Sequence, residues 1–410
     1  MTDCFAWASG KAEPSDCLTA DEELELERAG YAIEHGGKDA KLGSGSYGVV
    51  YAVRRCDESD VVNSSTSKFC AKVVDRVFED NSTAVRMLRE LKLMRTLWHP
   101  NVMTTETVAL PASGLWDRVV MVFERYDSDL QKIIYSTTSL APTHVSWIFN
   151  QILQALKYLQ KCQIVHRDIK PANILINRNC DVKICDFGLA RHRSPSDSTS
   201  NDYAAWTDYA VSRWYRPPEL LLCCRHPDRD WGSIDIWSAG CVLGELLLRR
   251  PLFSSSSSTQ QLQRIIDCIG MPPLSTIDRY DHHAQAALRE ACGGYGLDST
   301  SSEGSPEERL GLILPPEADG FVHVLAKCVA WNFVERWTAA ELLELEIFHE
   351  YKEFVDGPTR SLDLQTFMDR TSKEDLQVLD GRCVEYCTTR QLRGLMDTEL
   401  HRHQEAQGFH

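Results

Sequence analysis

The sequence predicts an α+β fold with two lobes, a small β-rich lobe followed by a larger helical lobe. From about residue 31, short runs of β-branched and aromatic residues are broken by Gly, Ser and Asp, a pattern typical of an antiparallel sheet. After about residue 127, apolar residues recur mainly at helical spacing, as they do over 145–156. The chain has 410 residues and is 43% hydrophobic, which is enough for large cores and a two-lobed domain with extensions.

Local sequence patterns predict the structure of individual segments. The acidic stretch 21–28 could be a short helix or a solvated extension, and we expect the extension. The Ser-rich stretch 57–68 predicts a long flexible hairpin loop, whereas apolar residues at i, i+3 spacing over 84–96 predict a helix. Ser and Gly predict loops over 254–258 and 292–308, and a helix is not expected in the second stretch. The expected segments are an acidic N-terminal extension (1–30), the β-rich lobe and hinge (31–126), the helical lobe (127–351) and a C-terminal extension (352–410).

Composition narrows the class of protein. The net charge of −15 argues against nucleic acid as a partner and suits recognition of basic peptides. The fifteen cysteines have no metal-ligand or disulfide-framework spacing, which predicts reduced thiols and a cytoplasmic protein that could also enter the nucleus. The pair Cys223 and Cys224 could be redox-active, but adjacent cysteines rarely bridge and we expect a plain loop. The sequence has no charged-then-apolar signal and no apolar run of membrane-spanning length, so we expect a soluble protein without a membrane partner.

Two short blocks carry the chemistry, His-Arg-Asp-Ile-Lys-Pro-Ala-Asn over 166–173 and Asp-Phe-Gly over 186–188. Phosphoryl transfer needs a carboxylate near the attacking hydroxyl, together with an Asn and a second Asp that hold Mg²⁺. Asp168, Asn173 and Asp186 fit these three roles. His-Arg-Asp or Asp-Phe-Gly alone occurs by chance in many loops, but the two blocks in this order rarely do. The blocks resemble the catalytic and metal loops of eukaryotic protein kinases, which implies a bilobal kinase fold with ATP and Mg²⁺ as cofactors.

The segment 42–50 fits the pattern Gly-x-Gly-x-x-Gly-x-Val, in which missing side chains let backbone amides approach phosphates. Dinucleotide-binding folds use a similar spacing, but a helix follows their glycines, whereas here 49–53 continues as a strand. We therefore favour the kinase hairpin. The resemblance implies that the nucleotide is bound by Leu42, Gly43, Ser44, Gly45, Gly48, Val50, Ala71 and Lys72.

Lys72 alternates with apolar residues and would otherwise be an ordinary exposed strand lysine. In kinases the lysine at this position holds the α- and β-phosphates and pairs with a glutamate of the next helix. The segment 88–92 resembles that helix, which implies that Glu90 is the partner. The alternative is that Glu90 is a simple solvent-facing charge.

The segment 121–126 resembles the kinase hinge. The resemblance implies that Phe123 is the gatekeeper and that backbone groups of Glu124 and Tyr126 face adenine. A core position for Phe123 is compatible with this role.

Lys170, two residues after the catalytic aspartate, is typical of Ser/Thr kinases and is implied to contact the phosphoryl group, whereas tyrosine kinases carry an Arg-containing variant. We therefore expect transfer to Ser or Thr.

The segment 206–219 resembles the activation lip of mitogen-activated protein kinases, with Thr207 and Tyr209 as the dual phosphorylation motif. Each phosphate adds nearly two negative charges and orders the loop by pairing with arginines. A solvated loop that merely contains Thr and Tyr is the alternative. The family pattern implies that Arg89, Arg167 and Arg191 receive phospho-Thr207, and that Arg213 and Arg216 receive phospho-Tyr209.

The lip pattern over 212–216 is shared with cyclin-dependent kinases, which prefer Pro after the phosphoacceptor, and Arg216 is expected to shape that pocket. The resemblance thus implies a proline-directed Ser/Thr protein kinase that is activated by phosphorylation of the lip. Its implied partners are protein substrates with Ser-Pro or Thr-Pro sites, an upstream dual-specificity kinase and phosphatases, and we expect a monomer. Two scaffold contacts are implied as well, Glu219 with Arg336, and Asp235 with the catalytic-loop backbone.

Several alternatives remain open. The family's acidic docking run is replaced by Val-Asp-Gly-Pro-Thr-Arg over 355–360, which puts docking by basic peptides in doubt. Phe123 and the Asp of Thr-Asp-Tyr also occur in a related ciliary, cell-cycle-linked kinase group. A cyclin-dependent-type kinase is a further option, although no recognisable cyclin-binding helix sequence is present. A kinase-shaped scaffold would be expected to lose Lys72, Asp168 or Asp186, and all three are present.

Overall fold

The computed structural model describes most of the chain, and the structural statements below concern these residues. They are 18–34, 40–45, 48–57, 68–109, 116–193, 213–223, 232–278, 280–292, 304–352, 364–381, 384 and 387–407.

The chain forms two compact units. The first comprises Met1–Leu91, Thr104–Arg125 and Cys387–His410, and the second comprises Lys92–Met103 and Tyr126–Tyr386. The C-terminal extension therefore contributes to both units. Since the first unit is rich in strands and the second is mainly helical, the predicted α+β, two-lobed kinase class is confirmed.

The first unit is built on an antiparallel six-stranded sheet in the order β1-β3-β4-β6-β5, with β2 paired to β3. Its core consists of apolar side chains on one face of this sheet, and Val53, Ala71 and Val122 are fully buried there. The β-branched runs of the sequence thus lie in central strands, as their composition favours. The strands are β1 (Tyr31–Ile33), β2 (Lys41–Gly45), β3 (Gly48–Arg55), β4 (Phe69–Val74), β5 (Thr105–Ala109) and β6 (Val119–Glu124).

The acidic stretch at the N-terminus is helix α1 (Ala20–Arg28), so the expected solvated extension is wrong. Thr19 caps the helix and forms a capping box with Glu22, which satisfies two backbone N–H groups at the helix start. Leu26 is only 1% exposed and packs with the core of the sheet. One buried apolar side chain and a good cap therefore outweigh the many charges of this segment.

Helix α2 (Asn81–Thr96) contains the predicted helix and begins three residues before it. Asp80 accepts a hydrogen bond from the backbone N–H of Thr83, which satisfies an N–H group of the first turn. The buried side chains include Leu88, Leu91 and Met94, which recur at the i, i+3 spacing that predicted the helix.

The second unit contains two small sheets, β10-β9-β7 and β11-β8, and most of the helices. The strands are β7 (Ser128–Asp129), β8 (Ile164–Val165), β9 (Ile174–Ile176), β10 (Val182–Ile184) and β11 (Arg191–His192). The helices are α3 (Leu130–Tyr135), α4 (Pro142–Lys161), α5 (Pro218–Leu221), α6 (Gly232–Leu248), α7 (Ser258–Ile269), α8 (Leu274–Ile277), α9 (His282–Ala291), α10 (Pro306–Ile313), α11 (Val322–Cys328), α12 (Ala339–Leu343), α13 (Leu364–Arg370) and α14 (Lys373–Asp380). In the described part of the chain, 3₁₀ helices cover Pro171–Asn173, Arg213–Tyr215, Pro316–Phe321 and Glu346–Tyr351. Helix α15 (Thr389–Gln407) belongs to the first unit.

The core of the second unit surrounds α4 and α6. Both helices bury residues on nearly every side. Helix α6 is mostly apolar in sequence, whereas α4 also buries polar residues such as Asn150 and Gln151. Trp237 of α6 stacks on Phe253 with ring centroids 5.6 Å apart, and both side chains are fully buried. Among the described residues, no helix is both long and apolar enough to cross a membrane.

Two of the expected loops contain helix starts. The run 254–258 ends in the N-cap of α7, where the Ser257 side chain accepts from the backbone N–H of Gln260. Helix α10 begins at Pro306 with Ser305 as its cap, so the expectation of no helix over 292–308 is wrong for its last three residues. Serine in such a run is a helix cap as readily as a loop residue. Residues 293–303, and residues 58–67 of the predicted hairpin loop 57–68, lie outside the described residues.

Candidate active site

The glycine-rich segment forms an antiparallel hairpin in the first unit, with Gly45 opposite Gly48 across β2 and β3. Gly48 has φ +137°, and a Cβ at this position would lie 1.8 Å from the carbonyl oxygen of Val73. Only glycine fits there, so the third glycine of the motif is explained by packing on β4. Leu42, Gly43 and Ser44 are exposed on the hairpin, whereas Val50 is half-buried. Phosphate binding by backbone amides would take place on this hairpin.

Lys72 lies on β4, between Val50 of β3 and Met121 of β6. Its Nζ donates to Glu90 Oε1 of α2 at 2.9 Å, and the two side chains are 23% and 8% exposed. The predicted ion pair is therefore present, and the alternative of two unrelated surface charges is excluded. The adjacent Ala71 is fully buried, which fixes the strand on which Lys72 stands.

The predicted hinge begins at the end of β6. Phe123 is buried opposite Cys70, and Glu124 is the exposed last residue of the strand. Burial raises the pKa of the Cys70 thiol to about 11, although the charges of Arg125 and Lys72 oppose this effect. Cys70 is therefore an uncharged neighbour of the gatekeeper position. Tyr126 lies in the second unit, where the Lys183 ammonium is 5.8 Å from its ring centroid.

Asp168 is the centre of a buried network in the second unit. Its Oδ2 accepts from Lys170 Nζ at 2.7 Å and from Asn173 Nδ2 at 2.9 Å. Its Oδ1 is buried and has no hydrogen-bond partner among the described residues. Burial raises the pKa of Asp168, and the charge of Lys170 opposes this effect. One carboxylate oxygen is thus held by two donors, while the other makes no hydrogen bond within the described part of the chain.

The backbone of the catalytic loop is held by Asp235 of α6. Its two carboxylate oxygens accept from the backbone N–H groups of His166 at 2.7 Å and Arg167 at 2.8 Å. Arg167 has φ +71°, a left-handed conformation that costs energy in a residue with a side chain. Burial raises the pKa of Asp235 to about 7, although the two N–H groups lower it. The predicted anchoring role of Asp235 is confirmed by these contacts.

His166 connects the catalytic and metal loops. Its Nδ1 accepts from the backbone N–H of Asp168 at 3.2 Å, and its Nε2 lies 3.1 Å from the carbonyl oxygen of Cys185. Burial lowers the pKa of His166 to about 4, so the ring is neutral and donates from Nε2. The ring also packs edge-on against Phe187, with centroids 4.8 Å apart. The sequence motif gave no reason to expect this connecting role.

Asn173 and Asp186 are the predicted magnesium ligands. The Asn173 amide nitrogen donates to both the backbone oxygen and Oδ2 of Asp168, so the amide oxygen is the atom that could bind a cation. Asp186 has φ +67° and is followed by the fully buried Phe187. Asn and Asp oxygens suit Mg²⁺, which binds proteins through few ligands and takes the others from phosphates and water. The residues present therefore fit the metal.

The predicted phosphate-receptor arginines are only partly testable. Thr207 and Tyr209 lie outside the described residues. Arg191 pairs across β8 and β11 with Val165, two residues before Arg167, and both arginine side chains are buried. Arg89 is buried on α2, whereas Arg216 is half-buried. Arg213 donates to the carbonyl oxygen of Ser256 at 2.7 Å. The pairing of these residues with phosphates stays a prediction.

Glu219 and Arg336 form the predicted scaffold pair. Two parallel hydrogen bonds of 2.6 Å join the carboxylate to the guanidinium, and both side chains are 0% exposed. Arg336 also donates to the carbonyl oxygens of Ala330 and Ser233 and stacks on Trp237 at 5.0 Å. The pair therefore joins the segment after the lip to the last third of the chain.

A second anchor after the lip was not predicted. Glu245 on α6 accepts from the hydroxyls of Tyr215 at 2.7 Å and Tyr135 at 3.1 Å. Burial raises the pKa of Glu245, and the two hydrogen bonds oppose this effect. The sequence signal for this anchor is that Glu245 is the one carboxylate in the apolar stretch 239–248. A charge buried in such a stretch is rarely left without partners, so hydrogen-bond donors could have been expected around it.

Comparisons with known proteins agree with this site. The chain is 42% identical over 242 residues to mitogen-activated protein kinase 7 of Arabidopsis thaliana, and 45% identical over 231 residues to mitogen-activated protein kinase 14 of the same plant. These alignments cover 59% and 56% of this chain, and 61% and 58% of the relatives. Mitogen-activated protein kinase 16 of Oryza sativa subsp. japonica is 34% identical over 343 residues, which cover 82% of this chain and 64% of that protein.

The chain thus spans about three fifths of the length of the curated relatives that it matches. A family model described as the protein kinase domain matches residues 37–348, well over half of the chain. The motifs, the contacts around Asp168 and this match lead to one conclusion. The chain belongs to the protein kinase domain family.

Proposed function

We propose that this chain is an ATP- and Mg²⁺-dependent Ser/Thr protein kinase of the mitogen-activated type. The observation that carries the proposal is the state of Asp168, with Oδ2 bound by Lys170 and Asn173 while Oδ1 is buried without a partner among the described residues. An unpaired buried oxygen is costly unless a ligand uses it. A substrate hydroxyl would use it as a proton acceptor.

The proposed reaction is an in-line transfer of the γ-phosphoryl group. The hydroxyl oxygen of Ser or Thr forms a bond to phosphorus, the bond from phosphorus to the bridging oxygen of ADP breaks, and Asp168 accepts the hydroxyl proton. Burial raises the pKa of Asp168 and makes it a better base than an exposed carboxylate. Lys170, 2.7 Å from Oδ2, would stabilise charge on the transferred group.

The nucleotide would be held by the other predicted residues. Lys72, oriented by Glu90, would bind the α- and β-phosphates, and the hairpin that contains Gly48 would offer backbone amides to the phosphates. Asn173 and Asp186 would hold Mg²⁺, which neutralises the charge developing on the phosphate oxygens.

Two finer features belong to the same proposal. The Thr-Asp-Tyr motif and the similarity to plant mitogen-activated protein kinases support activation by phosphorylation at Thr207 and Tyr209. The pattern that contains Arg216 supports a preference for Pro after the phosphoacceptor. Substrates with Ser-Pro or Thr-Pro sites, an upstream dual-specificity kinase and phosphatases would be the partners.

A degenerate peptide library tests the proposal, with the protein assayed before and after phosphorylation of the lip. We expect Mg²⁺-dependent transfer to Ser and Thr, with Pro enriched after the acceptor by roughly tenfold or more, the discrimination that one pocket contact gives. The double substitution Thr207→Ala with Tyr209→Phe should remove the activation.

Each part of the proposal has its own contrary result. Nucleotide binding without transfer to any peptide would indicate a kinase-shaped scaffold. Transfer without enrichment of Pro would move the chain to another kinase group. Full activity in the double variant would contradict activation through the lip.

A further inference from the structure

The last turns of helix α2 carry one buried and one half-buried cation. Lys92 and Arg95 follow Glu90 on this helix, and their side chains are only 5% and 13% exposed. Lysine and arginine are almost never buried unless they are paired. The position of the helix end therefore depends on the groups that neutralise these two charges.

Asp375, from the C-terminal extension, contacts both cations. Its Oδ1 lies 2.5 Å from Lys92 Nζ and its Oδ2 lies 3.2 Å from Arg95 Nη2, with the carboxylate side chain 2% exposed. Arg95 also donates to the carbonyl oxygen of Arg370 at 3.2 Å, just before helix α14. All these residues belong to the second unit.

The carboxylate of Asp375 is itself fixed. Ser372 caps α14, its Oγ accepts from the backbone N–H of Asp375 at 3.1 Å, and its own N–H donates to Asp375 Oδ2 at 3.1 Å. Asp375 therefore stands in the first turn of a helix, where a negative charge is favoured. Burial acts to raise the pKa of Asp375, but the hydrogen bond and charge of Lys92 outweigh it and the pKa falls to about 2. The group is ionised at neutral pH.

A buried ion pair gives little net stability, because desolvating the two charges offsets their attraction, and its best-attested role is to specify one geometry of the parts that it joins. Lys92 is two residues after Glu90 and Arg95 is five residues after it. A helix is stiff over so short a distance, so holding residues 92 and 95 sets the rotation and axial position of Glu90.

The C-terminal extension also contacts α2 within the first unit. His403 of α15 lies with Nε2 2.8 Å from the carbonyl oxygen of Leu91, the residue next to Glu90. At the start of α2, Asn81 donates to the carbonyl oxygen of Cys387 at 3.1 Å. The extension therefore contacts the helix at its start, beside Glu90 and at its end.

We propose that Asp375 is a positioning residue for phosphoryl transfer, which acts through Lys92 and Arg95 on helix α2 to place Glu90 against Lys72. The inference rests on the proposed kinase function. It assigns to the C-terminal extension a part in the activity that no motif of the sequence indicates.

The test is a double-mutant cycle between Asp375→Asn and Glu90→Gln in the full chain. Two quantities are measured, the affinity for a fluorescent ADP analogue and the steady-state kcat/KM for ATP with a peptide substrate. Asp375→Asn alone should reduce kcat/KM by roughly tenfold to a hundredfold, the cost of misplacing a group of the site by about 1 Å. In the Glu90→Gln background the same substitution should change kcat/KM less than about twofold, because coupled residues are not additive.

An equal loss in both backgrounds would overturn the proposal, because Asp375 would then act independently of Glu90. Glu344→Gln is the matched control, since it breaks an exposed 2.8 Å ion pair with Lys352 in the same unit and should leave both quantities unchanged. If Asp375→Asn does not fold, Arg95→Leu keeps the contact of Asp375 with Lys92 and should show the same dependence on Glu90 with a smaller loss.

Failure of the proposed function is distinguishable from failure of this inference. A wild-type chain that transfers no phosphate would refute the kinase proposal. The double-mutant cycle could still be evaluated from the affinities for the ADP analogue, because Lys72 and Glu90 would contribute to nucleotide binding even if no phosphate is transferred. Additive affinities would overturn the positioning role, and non-additive affinities would support it.

Discussion

Two ion pairs of this chain differ in how completely they are enclosed. Glu219 and Arg336 are both 0% exposed, are joined by two hydrogen bonds of 2.6 Å, and have further carbonyl and aromatic contacts. The pair of Lys72 and Glu90 has a hydrogen bond of 2.9 Å, and Lys72 is 23% exposed. The first pair is surrounded by protein on all sides, whereas the lysine of the second can still meet a ligand.

The same difference separates two carboxylates at the catalytic loop, Asp168 in the loop itself and Asp235 of α6, which holds the loop backbone. Asp235 uses both oxygens on backbone N–H groups, whereas Asp168 has one oxygen without a partner among the described residues. At these two carboxylates, the saturated one holds the loop backbone in place, and the unsaturated one is where a substrate hydroxyl would complete the bonding.

The largest effect on stability is expected at the enclosed pair. Glu219→Gln removes the charge that compensates Arg336 and should lower the free energy of unfolding by about 3–5 kcal/mol. The kcat of the molecules that remain folded should change little. Denaturant titration together with active-site titration measures both quantities, and a stable variant with lost activity would reverse the roles assigned to the two pairs.

At the second pair the effects should be opposite. Lys72→Met keeps a long side chain on β4 but removes the cation, and should reduce kcat/KM for ATP by roughly a hundredfold to a thousandfold, as the loss of one electrostatic group does. The free energy of unfolding should fall by about 1–3 kcal/mol, less than at the enclosed pair, since Lys72 is partly exposed but the buried Glu90 loses one of its hydrogen-bond donors. A large loss of stability with retained activity would show that this pair belongs to the scaffold.

A half-buried histidine, His99, has no ionic partner among the described residues and should reveal itself through the pH dependence of stability. Burial and, to a smaller extent, the charge of Lys183 lower the pKa of His99 from 6.5 to about 4, and the ring stacks on Tyr158 with centroids 5.1 Å apart. As pH falls below 6.5, the unfolded chain binds a proton before the folded chain does, so stability is lost between pH 6.5 and 4. The His99 share of this loss is at most about 3 kcal/mol.

His99→Phe should therefore flatten the dependence of unfolding free energy on pH in that window without removing it, because the pKa of His166 is also lowered to about 4. Urea titrations at a series of pH values measure the slope. An unchanged slope in the variant would mean that His99 titrates normally in the folded protein.

The smallest effect is expected at an exposed pair. Glu344 and Lys352 are 71% and 46% exposed and lie 2.8 Å apart. Glu344→Gln should leave the free energy of unfolding unchanged within the error of a denaturant titration at physiological salt, because exposed ion pairs contribute little. A loss comparable to that of Glu219→Gln would show that enclosure does not separate scaffold pairs from the others.

The sequence predicted the site better than it predicted the ends of the chain. Lys72 with Glu90 and Glu219 with Arg336 were assigned as pairs across long sequence separations, because fixed chemistry imposes a fixed motif. The contacts of Asp375 with Lys92 and Arg95 were missed, since a single Asp in the polar segment 372–377 looks like any solvated charge. Helix α1 was missed because its stability depends on burying Leu26, a tertiary contact that local charge content conceals.

The central claim is that Asp168 acts on the transition state and that the surrounding network only holds it. Asp168→Asn keeps the shape of the side chain and removes the base. The most direct measurement is single-turnover transfer from γ-labelled ATP to a Ser-Pro or Thr-Pro peptide, together with the ATP dissociation constant of the same variant. We predict a rate lower by roughly a hundredfold to ten-thousandfold with ATP affinity changed less than about threefold. A near-wild-type rate, or a loss explained entirely by weaker ATP binding, would contradict the account.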